Sequence, residues 1–143
     1  MKIFSFEECN VVFGKSQDQY IPLPAMREAN GLVMYCLELD NDEIEEVVET
    51  RTLHFTFLTF GGPVQPFRVD INKPKIPLDY KLKFECNTKI WGDSKESPAT
   101  FRIRLTQKDL RVLKKTRLLW VTTCTFMSPF QPISMTITQN SYK

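Results

Sequence analysis

The sequence is poor in the residues from which catalytic and metal sites are built. It contains one histidine, His54, and its four cysteines, Cys9, Cys36, Cys86 and Cys124, form no Cys-x-x-Cys pair. A zinc site needs several nitrogen or sulfur ligands close together, and a Ser–His or Cys–His pair needs a histidine beside a nucleophile motif. We therefore expect no metal, no cofactor and no enzymatic activity, and we expect the cysteines to be buried free thiols.

Long apolar runs are also missing. No stretch approaches the roughly 18 apolar residues of a membrane span. The first residues, MKIFSFEECNVVF, carry glutamates where a signal peptide needs an unbroken apolar segment. A hydrophobic content of 42%, with 11 phenylalanines in 143 residues, is typical of a folded globular chain. We expect a cytosolic protein, or one released from a cytosol by lysis, with no membrane partner.

Net charge is small, but the two halves of the chain differ in sign. Residues 1–72 hold five Lys/Arg against 12 Asp/Glu, a net charge of −7. Residues 73–143 hold 14 against five, a net charge of +9. The total of +2 therefore conceals a dipolar molecule, and such an asymmetry bears on partners rather than on fold.

The strongest pattern in the chain is an internal repeat. Residues 39–71 align without a gap to residues 105–137, at an offset of 66, and 11 of the 33 positions are identical. Average amino-acid usage would give roughly two accidental matches. We therefore predict a tandem duplication, with an acidic module at residues 1–72 and a basic module at residues 73–143.

The repeat extends upstream with gaps. FEECNVVFG at residues 6–14 resembles FECNTKIWG at residues 84–92, and both end at an aromatic residue followed by glycine. The first copy then carries about a dozen extra residues around QYIPLPAMREANG. We expect these residues to form a longer loop, because prolines and glycine punctuate them.

Each module is predicted to run strand, strand, helix, strand, strand. Asp40 with Glu43, and Thr106 with Asp109, give each helix an N-cap acceptor and a carboxylate in its first turn. The segments LHFTFLTF and LWVTTCTF that follow are rich in the aromatic, β-branched and threonine residues typical of strands. The predicted fold class is α+β and β-rich, with two similar β-β-α-β-β modules packed as one pseudo-twofold unit that shares a core.

Proline-rich segments end these strands, GGPVQP in the first copy and MSPFQP in the second. Proline has no N–H, so a β-ladder cannot continue through it, and the glutamine between the prolines can bond to the backbone of its own turn. Neither segment has the lysine or the spacing of a phosphate loop. The residues predicted to build the two turns are Gly61, Gly62, Pro63, Gln65, Pro66, Pro129, Gln131 and Pro132.

The helices carry the most useful functional signal, because the two copies of one element have opposite charges. Residues 40–51 have a net charge of −5, and residues 106–117 have a net charge of +4. His54 aligns with Trp120, which indicates a packing position in a strand rather than a catalytic base. The candidate protein-interface residues are Asp42, Glu45, Glu46, Glu49, Lys108, Arg111, Lys114 and Lys115.

Three interpretations of the charged helices are open. Both can be solvated faces with no partner. The acidic helix of one subunit can instead meet the basic helix of the next, in a heterologous contact that builds rings or lattices. The basic helix can also face nucleic acid phosphates, but the acidic half would repel the same polyanion, and no aromatic–glycine motif accompanies the basic stretch.

The repeated module LDNDEIEEVVETRTLHFTFLTFGGPVQP resembles one found in small phage-encoded proteins of unassigned role. In those proteins a capped acidic helix leads through Thr-Gly or Thr-Arg into a Leu/Trp-rich strand that closes on Gly-x-Pro or Pro-x-Gln-Pro. The resemblance covers two stretches of about 30 residues, and the second copy departs from it where Met127 and Ser128 replace the two glycines. It implies a phage origin and brings no catalytic residues with it.

These observations together predict a structural subunit of a bacteriophage particle, an auxiliary or decorating head protein. We expect it to bind copies of itself or other virion proteins, in the host cytoplasm during assembly and then in the virion. The main alternative is a small early phage protein that binds and inhibits a host factor, and the next is a nucleic-acid-binding accessory protein.

Overall fold

The computed structural model describes residues 1–58, 65–78, 99–125, 129–131 and 133–137. This part of the chain contains nine strands and two helices, so the predicted α+β, β-rich class is confirmed. The strands are β1 (Lys2–Phe4), β2 (Val11–Phe13), β3 (Leu23–Arg27), β4 (Leu32–Glu38), β5 (Thr52–Phe57), β6 (Phe67–Asp70), β7 (Ala99–Arg104), β8 (Leu118–Cys124) and β9 (Ile133–Thr136). The helices are α1 (Asn41–Thr50) and α2 (Gln107–Thr116).

The strands form two antiparallel sheets. The large sheet has the order β2-β3-β4-β8-β6, and β1 also pairs with β4. The small sheet has the order β7-β5-β9. Strands from the two halves of the chain therefore alternate: β8 lies between β4 and β6, and β5 lies between β7 and β9.

The two sheets are paired in equivalent registers. Glu38 faces Leu118 between β4 and β8, and Arg104 faces Thr52 between β7 and β5. Glu38 shifted by 66 residues is Arg104, and Leu118 shifted back by 66 residues is Thr52, so the two pairs are equivalent. The same operation converts the pairing of β6 with β8 into that of β9 with β5. The 66-residue offset of the sequence repeat is thus also an offset in strand pairing.

The segment expected to be a long loop contains a strand, so that expectation is wrong. β3 pairs with β2 on one side and with β4 on the other, and the first half therefore has four strands before its helix instead of two. Leu23 and Ala25 are buried in the main core, and Met26 is buried in a second cluster on the other face of the strand. Burial on both faces outweighs the turn signals of the prolines that flank and interrupt the strand.

The main hydrophobic core collects side chains from both sheets and both helices. Its largest fully buried members include Tyr35 of β4, Phe55 and Phe57 of β5, and Phe67 of β6. A second cluster covers the other face of the large sheet, where the rings of Phe6 and Trp120 meet edge to face at 5.1 Å. Because the main core draws on both halves of the chain, the described residues pack as one unit.

Both helices begin with the predicted capping box. The Asp40 carboxylate accepts from the backbone N–H of Glu43 at 2.9 Å, and the Glu43 carboxylate accepts from the N–H of Asp40 at 3.0 Å. Thr106 and Asp109 repeat this arrangement at 3.1 and 2.9 Å. Each box satisfies two N–H groups that a helix start would otherwise leave unpaired. The bond from the Glu43 backbone also lowers the pKa of the Asp40 carboxyl.

We expect Thr106→Ala to lower the free energy of unfolding by about 1 kcal/mol, because the substitution removes the side-chain acceptor at the N-cap. Urea unfolding followed by circular dichroism measures the change. Thr106→Ser keeps the hydroxyl and serves as the control, with a stability close to that of the unaltered protein. An equal loss in both variants would contradict a capping role for Thr106.

Candidate protein-interaction surface

The two helices end in the same unusual way. Arg51 and Arg117 adopt the left-handed conformation, with φ of 58° and 62°, a position usually taken by glycine. Their N–H groups close the last turns by donating to Val47 and Leu113. No sequence signal indicated these ends, because arginine is an ordinary helix residue.

Backbone hydrogen bonds place the helices side by side. The Arg117 carbonyl at the end of α2 accepts from the N–H of Leu39, just before α1, at 2.9 Å. The Arg51 carbonyl at the end of α1 accepts from the N–H of Leu105, just before α2, at 2.8 Å. The end of each helix therefore lies at the start of the other, and α1 and α2 are antiparallel neighbours that contact each other.

The inner faces of the helices pack on the core, and the outer faces carry the predicted charges. Val47 of α1 is buried, and so are Leu110 and Leu113 of α2. Seven of the eight candidate interface residues are exposed, and the eighth, Glu46, is half-buried. The exposed seven are Asp42, Glu45, Glu49, Lys108, Arg111, Lys114 and Lys115.

Among the residues that the structure describes, no ion pair within 4.0 Å joins α1 to α2. At the start of α1, the Met1 amino group contacts the Glu43 carboxylate at 2.6 Å, and this bond raises the pKa of that amino group. The outward carboxylates of α1 and cations of α2 thus form one surface with an acidic and a basic strip. We call this surface the helix pair.

The proline-rich turns are joined by their glutamines. The Gln65 N–H donates to the Gln131 side-chain oxygen at 2.9 Å, and the Gln131 N–H donates to the Gln65 side-chain oxygen at 3.1 Å. The Gln65 side-chain amide also donates to the Pro129 carbonyl at 2.8 Å. The Gln65 side chain therefore bonds to the other turn rather than to its own, and the Gln131 side-chain oxygen likewise accepts from the other turn. Of the other predicted turn residues, Pro66 is described, and Gly61, Gly62, Pro63 and Pro132 lie outside the described ranges.

His54 and the described cysteines occupy buried or half-buried positions. His54 is 8% exposed, and its Nδ1 atom lies 3.0 Å from the Ile137 carbonyl oxygen, a contact that requires the Nδ1-protonated ring. Cys36 and Cys124 are buried free thiols, and burial raises the pKa of Cys36 to about 12. Cys9 is half-buried, and Cys86 is outside the described residues.

The part of the chain that the structure describes contains no cluster of three or more histidine, cysteine, aspartate or glutamate side chains that could hold a metal ion. Neither of its helices is long and apolar enough to cross a membrane.

A second surface feature, which the sequence patterns did not indicate, is a cleft of about 1190 Å³ between the large sheet and β9. It is lined mainly by apolar side chains of β3, β4 and β9 and by the segment that joins β2 to β3. The apolar residues Leu23, Ala25 and Met26 in β3 were the available signal, because a short apolar run is consistent with a buried strand.

In comparisons with known proteins, no family model, no curated protein and no solved structure matches this chain.

Proposed function

We propose that the protein is a non-enzymatic structural subunit of a phage particle, an auxiliary or decorating head protein. It assembles with copies of itself or with other virion proteins, in the host cytoplasm and then in the virion. The observation that carries this proposal is the helix pair, whose acidic and basic strips lie side by side on one surface without pairing to each other. Charged surfaces of this kind select partners and fix their orientation.

The proposal includes the origin of the fold by tandem duplication, with the two modules related by a pseudo-twofold axis. Several equivalences at the 66-residue offset support it. The capping boxes, the left-handed arginines and the strand registers all recur at that offset. Two pairs of hydrogen bonds are also reciprocal at this offset. Gln65 and Gln131 bond to each other, and the N–H groups of Leu39 and Leu105 donate to the carbonyls of Arg117 and Arg51.

The side-by-side placement of the helices gives a specific docking arrangement. Two copies related by a twofold axis parallel to the helices would oppose α1 of each copy to α2 of the other. Both acidic-to-basic contacts then form at once, in an isologous pair. A copy rotated instead about an axis perpendicular to the helices, and displaced by one helix position, would form one acidic-to-basic contact and would continue as a ring or lattice.

We expect salt to dissociate the assembly. Native mass spectrometry at about 50 mM and about 500 mM volatile salt compares weak with strong screening of exposed charges. Multimers should dominate at low salt and monomers at high salt. Lys114→Glu with Lys115→Glu should give monomers at both salts, because two attractive contacts become repulsive.

The control changes the same total charge elsewhere, with Lys15→Glu and Lys75→Glu, two exposed lysines outside the helix pair. Adding Glu45→Lys and Glu49→Lys to the Lys114/Lys115 variant should restore the multimers. If the unaltered protein is a monomer at both salt concentrations, the self-assembly proposal is wrong and a host protein is favoured as the partner. Equal dissociation by the control would show that net charge, rather than the helix pair, governs association.

A further inference from the structure

The cleft between the large sheet and β9 is independent of the helix pair. One wall is the inward face of β2, β3 and β4, on which Phe13 and Arg27 are accessible, whereas Leu23, Val33, Tyr35 and Leu37 are buried. The opposite wall is formed by β9 together with Phe130. At about 1190 Å³, the cleft is slightly larger than the roughly 300–1,000 Å³ of ordinary small-molecule sites.

The extra segment of the first half supplies one side of the cleft. It includes β3, which pairs with β2 and β4 and extends the large sheet beyond β4. The connection between β2 and β3 forms the rim and exposes 80% of Ile21.

Aromatic rings give the cleft a firm floor. The ring of Phe13 stacks on that of Phe130, with centroids 4.6 Å apart and planes 20° from parallel. Tyr35 meets Phe130 edge to face at 5.8 Å. These contacts link the large sheet to the segment that precedes β9, so the two walls are held together at the base.

Arg27 places a positive charge at one end of the apolar wall. Arg27 faces Val33 across the β3–β4 ladder, so both side chains project from the same face of the sheet. Its backbone is fixed by two hydrogen bonds to the Asn10 side chain, at 2.8 and 2.9 Å, and its side chain is exposed. Lys2, which pairs with Glu38 at the other end of β4, also lines the cleft, and the lining contains no aspartate or glutamate among the residues described. The cleft therefore combines an apolar interior with a cation towards each end.

We propose that this cleft binds one molecule of a free long-chain carboxylate, such as a fatty acid. The alkyl chain lies along the half-buried side chains of Phe13, Phe130 and Ile133 and displaces water from apolar surface. The carboxylate bonds to the Arg27 guanidinium, whose planar fork matches the two carboxylate oxygens. This ligand assignment does not depend on the proposed role in a phage particle.

The test is calorimetric titration of the full chain with three ten-carbon amphiphiles below their micelle-forming concentrations. Decanoate should bind with one molecule per chain, decan-1-ol more weakly, and decyltrimethylammonium not measurably. Arg27→Gln should weaken decanoate binding by about tenfold to a hundredfold, as expected for loss of a charge-assisted hydrogen bond. Arg111→Gln, the same change at an exposed arginine outside the cleft, should leave binding unchanged.

A second pair of variants tests the apolar wall. Ile133→Gln should weaken binding of both decanoate and decan-1-ol, whereas Val12→Gln, at a 41% exposed position outside the lining, should affect neither. Circular dichroism establishes that each variant is folded. The proposal is overturned by equal binding of all three amphiphiles, by an Arg27→Gln variant that binds normally, or by no binding of decanoate. Sedimentation with phosphatidylglycerol vesicles in the absence of decanoate binding would identify a membrane surface instead, and would also overturn it.

Discussion

Separately expressed, residues 1–72 and residues 73–143 are expected to be unfolded, and on mixing they are expected to form one folded complex. The reason is the alternation of strands from the two halves. β8 supplies the strand between β4 and β6, and β5 lies between β7 and β9. Each half alone lacks the central strand of one of these three-strand sets. The backbone groups of the two neighbouring strands would then stay unpaired, which costs free energy.

The loss also extends to the main core. Val121 and Leu119 of the second half are fully buried against residues of the first half, among them Tyr35 and Phe67. Removing half of a shared core removes apolar burial that contributes more free energy than the net stability of an ordinary domain, which is about 5–15 kcal/mol. We therefore expect the complete loss of cooperative folding in each fragment rather than a moderate destabilisation.

Circular dichroism during urea unfolding measures this for each fragment and for the equimolar mixture. Only the mixture should show a cooperative transition, and its midpoint should rise with protein concentration because folding is then bimolecular. A cooperative transition in either fragment alone would show that the halves are autonomous domains. The uncut chain under the same conditions is the reference.

Local features of the fold could be predicted from the sequence because short-range chemistry determines them. The capping boxes require only an acceptor and a carboxylate three residues apart, and Asp40, Glu43, Thr106 and Asp109 have that spacing. The left-handed ends at Arg51 and Arg117 could not be predicted, because the bonds that hold these carbonyls come from the other half of the chain.

The neighbours of each strand were beyond sequence reasoning. A period of two indicates which face of a strand is buried, but it does not indicate which strand lies beside it. β8 therefore could be predicted as a strand, while its position between β4 and β6 could not. The same limit applies to β3, where Pro24 and its neighbours suggested a loop, although pairing on both sides provides the burial that makes a strand.

The charged residues of the candidate surface were predicted individually, but their arrangement was not. Opposite charge at equivalent positions indicated a contact between copies. The bonds between Leu39 and Arg117, and between Leu105 and Arg51, then place both helices on one surface. This arrangement adds an isologous pair to the rings and lattices that the sequence alone suggested.

The second large effect is expected at the glutamines that join the two turns. Gln65→Leu should lower the free energy of unfolding by about 1–3 kcal/mol, because the Gln131 N–H and the Pro129 carbonyl each lose the partner that satisfies them. Gln65 is only 7% exposed, so water replaces these bonds poorly. An exposed glutamine, Gln107, supplies the control, and Gln107→Leu should change stability by less than about 0.5 kcal/mol.

A double-mutant cycle then tests whether the two glutamines act as one unit. Each side chain accepts from the other residue's backbone, so Gln65→Leu and Gln131→Leu disrupt the same junction from its two sides. The combined loss should differ from the sum of the single losses by about 0.5–3 kcal/mol, the range measured for groups in one network. Urea unfolding of the four proteins gives this coupling directly. Strict additivity would mean that the two turns are stabilised separately, and that the junction between the halves rests on the strands and helices alone.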